Sequence, residues 1–325
     1  MLSFNFDAYV VAALFDAAGK AVFALGDGRV VFEDGASVDA HPDAGVLCAV
    51  LHPSGDGVIT GGDDGRLVWS RPSGAEALAE VKGRWIDAAA ASAASSLIAF
   101  CAGKEVRVIS AGDAKFARAF PQETTALGVA FDPKGLRLAV AGYGGPTVWY
   151  ARIAGQKPVA LKWAGIHTGV MFSPDGRFVV TTLQDAQLHA WRLSDSKDMR
   201  MAGYPAKVKS MAFMAGGDIL ATSGAQGAVL WPFTGPSGPM GRQAAEVAYD
   251  DKALVERVVG VAGVLAGGRD DGRLFALKPG GGRLHALRQD KGPPITALAL
   301  TGDGQRLAWG DEDGAAGVIQ MPVLD

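Results

Sequence analysis

The chain has 325 residues, of which 49% are hydrophobic and 20% charged, and its net charge is −3. This composition, which includes 45 glycines, is typical of a globular, loop-rich protein and excludes a disordered chain. The small negative charge argues against general nucleic-acid binding. Cys48 and Cys101 are too few for a secreted disulfide scaffold and favour a reducing compartment.

The N-terminal 20 residues include an apolar stretch that lacks the features of a signal peptide. No basic residue precedes the stretch, and Asp7 and Asp16 flank it, whereas a signal peptide starts with positive charge. No uninterrupted apolar run approaches the ~20 residues that a membrane helix needs. We therefore expect a cytoplasmic protein without membrane insertion.

One pattern recurs eight times along the chain. Each unit contains an apolar run, a turn with Pro, Asp or Gly, a second apolar run, a Gly-rich turn and a third apolar run. The residue that ends the first turn marks each unit: Gly19, Gly55, Ser95, Gly135, Gly176, Gly217, Gly263 and Gly304. The spacing of these residues is about 41, so eight units occupy the whole chain.

The runs are short and rich in Val, Leu, Ile, Phe and Trp, as β-strands are. A weaker, more charged fourth run follows in several units, at 76–81, 115–120 and 283–288, which is typical of an outer edge strand. Four-stranded antiparallel units of ~40 residues that repeat radially are the blades of a β-propeller. We predict an all-β, single-domain propeller over residues 1–325 with eight four-stranded blades. A ring of seven is the alternative, if the third or seventh repeat is irregular.

The two ends of the chain predict how the propeller closes. The last repeat has three runs and no fourth, whereas an additional apolar stretch, "LSFNF" at 2–6, precedes the first repeat. We expect this N-terminal stretch to supply the outer strand of the last blade.

Several stretches resemble the WD-repeat β-propellers, over nearly the full length of the chain. The resemblance rests on "LHPSGDGVITGGDDG" (51–65), "FDPKGLRLAVAG" (131–142) and "FSPDGRFVVTT" (172–182). It also rests on the tryptophans that end the third run of four repeats: Trp69, Trp149, Trp191 and Trp231. The signature Trp-Asp dipeptide is absent after these tryptophans.

The resemblance implies a structural tetrad, in which His, Ser or Thr, Asp and Trp of one blade join by hydrogen bonds. The second repeat offers His41, Thr60, Asp64 (or Asp63) and Trp69. The fifth repeat offers Thr181, Asp185 and Trp191 but lacks the His, because His167 is expected within the first strand. We expect most other blades to rely on apolar packing.

The acidic turns suggest a structural role more than a catalytic one. "GGDDG" at 61–65 recurs as "GRDDG" and "GDEDG" between second and third runs, which indicates a hairpin turn rather than a metal loop. The five histidines form no metal-ligand pair, and no nucleophile elbow or phosphate-binding loop is present. We predict no enzyme activity, no metal and no cofactor. The competing hypothesis is a propeller hydrolase or small-ligand binder that uses the central channel.

By family geometry, the turns between second and third strands share one face with the links into each first strand. We predict that other proteins or peptides bind there, through residues that are aromatic, basic or acidic: Arg84, Trp85, Tyr143, Trp163, Lys207, Lys209, Asp270, Asp271, Asp311 and Glu312. The alternative is that the charges are solvated turn residues and the tryptophans pack against neighbouring blades. An insertion at 234–252, with "AAEVAY" as an outer strand, is a second candidate contact site. The alternative is a loop that varies in length without a function.

The sequence thus predicts a non-enzymatic interaction scaffold. The identity of its partner, its oligomeric state and its pathway are not encoded in any motif of the chain.

Overall fold

The computed structural model describes residues 2–261 and 263–325, and in these residues the chain folds into 32 β-strands and one 3-10 turn, Ala215–Gly217. The strands form eight four-stranded antiparallel sheets, which we call blades one to eight in chain order. The chain therefore has the eight-bladed β-propeller fold that the repeats predicted. No helix in the described part of the chain has the length and apolar character needed to span a bilayer.

The strands follow one another in the order of the repeats. Strand β1 spans Leu2–Asn5. Blade one contains β2 (Val10–Phe15), β3 (Ala21–Leu25), β4 (Arg29–Phe32) and β5 (Ser37–Asp39). Blade two contains β6 (Val46–Leu51), β7 (Val58–Gly62), β8 (Arg66–Arg71) and β9 (Gly74–Glu80). Blade three contains β10 (Ala89–Ser92), β11 (Leu97–Cys101), β12 (Glu105–Ser110) and β13 (Ala117–Pro121). Blade four contains β14 (Gly128–Phe131), β15 (Arg137–Ala141), β16 (Thr147–Tyr150) and β17 (Val159–Ala160).

The second half of the chain continues the same order. Blade five contains β18 (His167–Phe172), β19 (Phe178–Leu183), β20 (Gln187–Arg192) and β21 (Lys197–Ala202). Blade six contains β22 (Met211–Met214), β23 (Ile219–Thr222), β24 (Ala228–Pro232) and β25 (Ala245–Val247). Blade seven contains β26 (Val255–Val261), β27 (Val264–Arg269), β28 (Leu274–Leu277) and β29 (His285–Arg288). Blade eight contains β30 (Ile295–Leu300), β31 (Arg306–Asp311) and β32 (Ala315–Gln320), together with β1.

The N-terminal strand completes the last blade, which confirms the predicted closure. Strand β1 pairs antiparallel with β32, from Leu2 opposite Val318 to Asn5 opposite Ala315. The backbone N–H of Phe6 extends this pairing by donating to the carbonyl of Gly314. The edge of β32, which would otherwise be unpaired, is thereby covered.

The turns that mark the repeats share one backbone conformation. The seven marker residues that are Gly all have positive φ, between 65° and 104°. In the third repeat, where the marker is Ser95, the following residue Ser96 takes the left-handed conformation instead, with φ of 54°. A residue with a Cβ pays strain in this region, which explains why the sequence uses Gly at this position in most repeats.

The chain divides into two compact units, one formed by the residues up to Phe15 together with Ala202–Asp325, the other by Asp16–Met201. Within each unit the core lies between successive blades. In the Asp16–Met201 unit, for example, Leu97 and Val106 of blade three are buried against Leu138 and Trp149 of blade four. In the other unit, Leu265 and Phe275 of blade seven pack with Ala221 and Leu230 of blade six. Within each unit these successive blades bury their faces against each other, as repeat architectures require. The single-domain organisation stays a prediction.

Candidate functional site

Three of the four predicted tetrad residues meet in blade two. The ring of buried His41 lies 2.8 Å from the Thr60 hydroxyl through Nε2 and 3.0 Å from the Asp64 carboxylate through Nδ1. A carboxylate only accepts, so Nδ1 carries a proton. Asp64 also accepts from the backbone N–H of Arg66, and Asp63 accepts from that of Gly45. The "GGDDG" turn therefore ties the link before β6 to the hairpin between β7 and β8.

Trp69 lies outside this network, which corrects the predicted tetrad. Its indole N–H donates to the carbonyl of Asp56 at 2.7 Å, and its ring stacks on His52 with centroids 4.0 Å apart. The register explains the difference. Trp69 is opposite Ile59, and Thr60 is opposite Val68, so Trp69 and Thr60 project to opposite faces of the sheet.

Blades five and six contain buried polar networks that the sequence analysis missed. His167 begins β18 as expected, and its Nδ1 lies 2.7 Å from the Thr181 hydroxyl. In blade six, Tyr204 occupies the corresponding role: its hydroxyl lies 2.7 Å from that of Thr222 and accepts from the Trp231 indole at 2.6 Å. The signal was the Thr in the second strand of these two repeats, Thr181 and Thr222. Tyr204 was not predicted because the expected tetrad has a His, and not a Tyr, as the partner of the Thr.

A cavity lies at the end of blade four where β15 turns into β16. It has a volume of about 720 Å³, in the range of small-ligand and peptide pockets. Three chain segments form its walls: the link from β13 to β14, the β15–β16 turn and the segment from β17 toward β18. Two predicted contact residues, Tyr143 and Trp163, both line it, and Tyr143 is 65% exposed. We call this cavity the blade-four pocket.

Close backbone approach shapes the blade-four pocket. Gly145 has φ of 112°, and a Cβ at this position would lie 2.0 Å from the carbonyl oxygen of Leu161. The backbone N–H of Trp163 donates to the carbonyl of Gly144. Any larger residue at position 145 would push the wall that carries Trp163 away from the turn that carries Tyr143.

A buried histidine holds the position of Trp163. The Trp163 ring stacks on the ring of His189, with centroids 3.8 Å apart. His189 is fully buried, and its Nε2 lies 2.8 Å from the Asp198 carboxylate. Burial lowers the pKa of His189, although Asp198 opposes the shift. One face of Trp163 is therefore covered by a neutral imidazole.

The floor of the pocket is polar but internally satisfied. The Trp149 indole N–H donates to the hydroxyl of Thr147, which donates to the side-chain oxygen of Gln122. The Gln122 amide then donates to the Phe120 carbonyl. Glu123 and Lys162 add an exposed charge of each sign to the lining. The pocket thus offers aromatic surface, with two charged groups to orient a ligand.

Arg84 and Trp85 lie elsewhere, in the link between blades two and three. Trp85 is 64% exposed, but neither residue lines the blade-four pocket. The Arg84 carbonyl faces Gly65 of the β7–β8 turn, where a Cβ would meet it at 2.5 Å. The structure therefore divides the predicted cluster. Tyr143 and Trp163 share the blade-four pocket, whereas Arg84 and Trp85 lie outside it.

Most of the predicted charged contacts have local partners. Lys209 forms an ion pair with Glu256. Asp270 accepts from the backbone N–H of Leu254, and Asp271 pairs with Arg273 at 2.7 Å. Lys207 is half-buried in the link before β22. These charged side chains stabilise turns and links, and their local partners compete with any binding partner.

Asp311 is fully buried, which corrects its placement among the surface contacts. Its Oδ1 accepts from the backbone N–H groups of Asp313 and Ala315, because a turn aspartate satisfies the donors that follow it. Burial raises the pKa of this carboxyl, and Arg288 lies 3.8 Å away. Its neighbour Glu312 is exposed as predicted.

The insertion at 234–252 contributes the outer strand β25, as its sequence predicted. A second cavity of about 410 Å³ is lined by Tyr204, Trp231, Arg242 and Glu246, among others. Cys48 and Cys101 are both free thiols in strands, and burial raises the pKa of Cys48 to about 12. Among the described residues, no group of three or more His, Cys, Asp or Glu is placed to hold a metal ion.

Comparison with solved structures shows the fold at low sequence identity. The computationally designed Ika8 protein superposes with a TM-score of 0.78 and 17% identity, over 98% of each chain. The Cps50 (Swd1) β-propeller domain of Myceliophteria thermophila superposes with a TM-score of 0.67 and 14% identity, over 85% of this chain and 96% of that domain. At these identities the likeness establishes the fold alone.

Sequence comparison adds one local match. The family model described as "WD domain, G-beta repeat" matches residues 33–69, the segment that holds the His41–Thr60–Asp64 network. A search of curated proteins found no significant match. The family model thus matches one segment of the chain as a WD repeat, and the solved structures show the propeller fold.

Proposed function

We propose that this chain is a non-enzymatic scaffold that binds other proteins through an extended segment lying in the blade-four pocket. The observation that carries the proposal is that exposed Tyr143 and the partly buried Trp163 line the same cavity of about 720 Å³. The WD-repeat propeller fold is consistent with such a role, and the partner is unknown.

The composition of the pocket favours a peptide over a substrate. Tyrosine and tryptophan are the residues that most often dominate binding energy at protein interfaces. The Trp149, Thr147 and Gln122 side chains bind one another, so these polar groups are already engaged within the fold. Glu123 and Lys162 suit the amide and charged groups of a bound segment.

The pocket walls are also preorganised. Trp163 is stacked on His189, and the Tyr143 backbone N–H donates to the Thr124 hydroxyl at 3.1 Å. Since these contacts already fix the Trp163 ring and the Tyr143 backbone, binding orders less of the wall and a larger part of the contact energy becomes affinity.

The test is selection of a random twelve-residue peptide display library on the immobilised chain, followed by affinity measurement on the selected peptides. We expect Tyr143→Ala to weaken one class of peptides about tenfold or more, as loss of an aromatic interface residue does. Tyr249→Ala is the matched control, because Tyr249 is exposed to nearly the same extent, 64%.

Peptides that bind both variants equally would contradict a role for the pocket. Unchanged melting temperatures for the two variants would show that the loss is local. A hydrolytic turnover that survives purification, and that Tyr143→Ala abolishes, would overturn the non-enzymatic assignment.

A further inference from the structure

A second exposed surface lies at the opposite end of blade four from the pocket. Strand β15 begins at Arg137, directly after Leu136, and ends at Ala141, two residues before Tyr143. Leu136, Tyr150 and Ile153 are 56%, 53% and 53% exposed. We call these three residues the basal patch.

The local fold brings the backbones of the three residues together, with Arg137 paired opposite Tyr150. The backbone N–H of Ala151 donates to the Leu136 carbonyl, and that of Ile153 donates to the Tyr150 carbonyl. The side chain of Gln156 then binds the backbone of Tyr150 through both its oxygen and its nitrogen, at 3.0 and 2.6 Å. This glutamine occupies the edge of β16 as a neighbouring strand would. The backbone that carries the patch is therefore fixed by hydrogen bonds.

Basic residues neighbour the basal patch in the sequence. Lys134, Arg152 and Lys157 are exposed, and each lies within four residues of a patch residue in the sequence. The salt bridges nearby join Arg107 to Glu105 and Arg137 to Asp132. Among the residues that the structure describes, no carboxylate forms a salt bridge with Lys134, Arg152 or Lys157.

The sequence around the basal patch also carries an excess of basic residues. Residues 104–162 contain nine Lys and Arg and four Asp and Glu, whereas residues 16–103 contain six Lys and Arg and twelve Asp and Glu. Blades three and four are therefore a basic region within an acidic chain. Charge complementarity steers partners and selects among them more than it adds affinity.

Arg152 also shows how the basic rim is anchored. Its guanidinium donates to the Ser95 carbonyl at 2.8 Å and lies 4.9 Å from the ring centroid of Phe116. Arg118 lies at the same distance from that ring. The rim thus carries cations fixed on an aromatic ring beside exposed Leu, Ile and Tyr, a combination that suits an interface with apolar anchors and a polar edge.

We propose that the basal patch binds an acidic segment of a partner protein, one that combines Asp or Glu with apolar side chains. The apolar side chains of the segment lie on Leu136, Tyr150 and Ile153, and its carboxylates face Lys134, Arg152 and Lys157. This surface is separate from the blade-four pocket and does not depend on it.

A protein segment fits this surface better than a nucleic acid or an anionic membrane. Three apolar side chains, two of them aliphatic, form the centre of the patch, and single-stranded nucleic acids stack on aromatic rings. A longer polyanion or a bilayer would also extend beyond the basic region toward the acidic residues 16–103. A short acidic segment avoids that repulsion.

The same display library provides the test, with the basal patch altered instead of the pocket. The charge variant is Lys134→Glu/Lys157→Glu, and its control is Lys82→Glu/Lys278→Glu, which makes the same change in net charge at two other exposed lysines. The apolar variant is Leu136→Ser/Ile153→Ser, with Leu284→Ser/Val323→Ser as its control, since these residues are also exposed.

We expect a class of selected peptides with net negative charge that binds the charge variant about tenfold more weakly and whose affinity falls with added salt. The apolar variant weakens the same class, and the two controls and Tyr143→Ala do not. A failure of the pocket proposal leaves this class intact, so the two hypotheses are tested separately.

The absence of any acidic class, or equal binding to the patch variants and their controls, overturns the inference. A second contrary outcome is that no acidic peptide binds, while phosphatidylserine vesicles or a single-stranded oligonucleotide bind the wild type and not the charge variant. That outcome also overturns the inference. Self-association that the charge variant abolishes, with no acidic peptide selected, assigns the surface to a second copy and overturns it as well.

Discussion

Trp163 stacks on His189 with ring centroids 3.8 Å apart, so a residue of the pocket wall rests on a histidine of the blade-five core. His189 also lies 4.5 Å from the ring of Trp191, on strand β20. The only polar partner recorded for this imidazole among the described residues is Asp198, at 2.8 Å. The Asp198 carboxylate, in the outer strand of the next blade, therefore helps to hold the ring against which Trp163 packs, in addition to the backbone bond from Trp163 to Gly144.

Asp198→Ala should therefore loosen Trp163 without unfolding the chain. We expect a loss of about 1 kcal/mol in the free energy of unfolding, because the bond is charge-assisted but Asp198 is partly solvated. The ¹⁹F resonance of fluorotryptophan at position 163 should broaden or shift. Asp195→Ala is the control, because Asp195 pairs with Arg192 instead. An unchanged resonance in Asp198→Ala would contradict this account of the wall.

His167 should make the chain less stable in acid. Burial lowers its pKa to about 4 from the ordinary value of 6.5. Between these two values the unfolded chain binds a proton that the folded chain excludes, so the contribution is present above pH 6.5 and is lost as the pH falls through 4. We expect a cost of about 2–3 kcal/mol at pH 4.5.

The measurement is urea unfolding of the wild type and of His167→Gln at pH 7 and pH 4.5. The variant is less stable at pH 7, because Thr181 loses its imidazole partner. Its stability should change less between the two pH values than that of the wild type. Equal changes in both proteins would show that other groups dominate the acid response.

The repeat pattern predicted the blades because each depends on local chemistry. The glycine markers fix left-handed turns, and the third-run tryptophans Trp149, Trp191 and Trp231 are buried as strand residues of a core. The closing strand was predictable because a missing run at one end matched an extra run at the other. These inferences need only the order of strands and turns.

The side-chain networks were less predictable because they depend on register and on distant segments. Trp69 pairs with Ile59, one residue before Thr60, so the side chains of Trp69 and Thr60 lie on opposite faces of the sheet. Asp311 is buried because its carboxylate turns back to its own backbone, which composition does not reveal. The blade-four pocket required three links to converge, and no single stretch of sequence contains that information.

The His41 network makes Thr60 more important to stability than Trp69. Thr60→Val keeps the shape of the side chain but leaves Nε2 of His41 unpaired in the core, so we expect a loss of about 1–3 kcal/mol. Trp69→Phe keeps an aromatic ring beside His52 and under the Arg71 guanidinium and loses the bond to the Asp56 carbonyl, a loss of about 1 kcal/mol. Urea unfolding of both variants tests the order. A larger loss of unfolding free energy for Trp69→Phe than for Thr60→Val would contradict this prediction.

Deletion of residues 1–7 should destabilise blade eight and promote aggregation. The deletion removes the four pairs between β1 and β32 and the side chain of Phe6, which is 9% exposed. We expect the free energy of unfolding to fall by about 2–4 kcal/mol, and the freed strand edge to pair between molecules. Gly317→Ala tests the same contact in the full chain, because a Cβ at this position would lie 2.6 Å from the Leu2 carbonyl oxygen. A deleted chain that stays monomeric in light scattering and keeps its melting temperature would show that β1 is dispensable for closure.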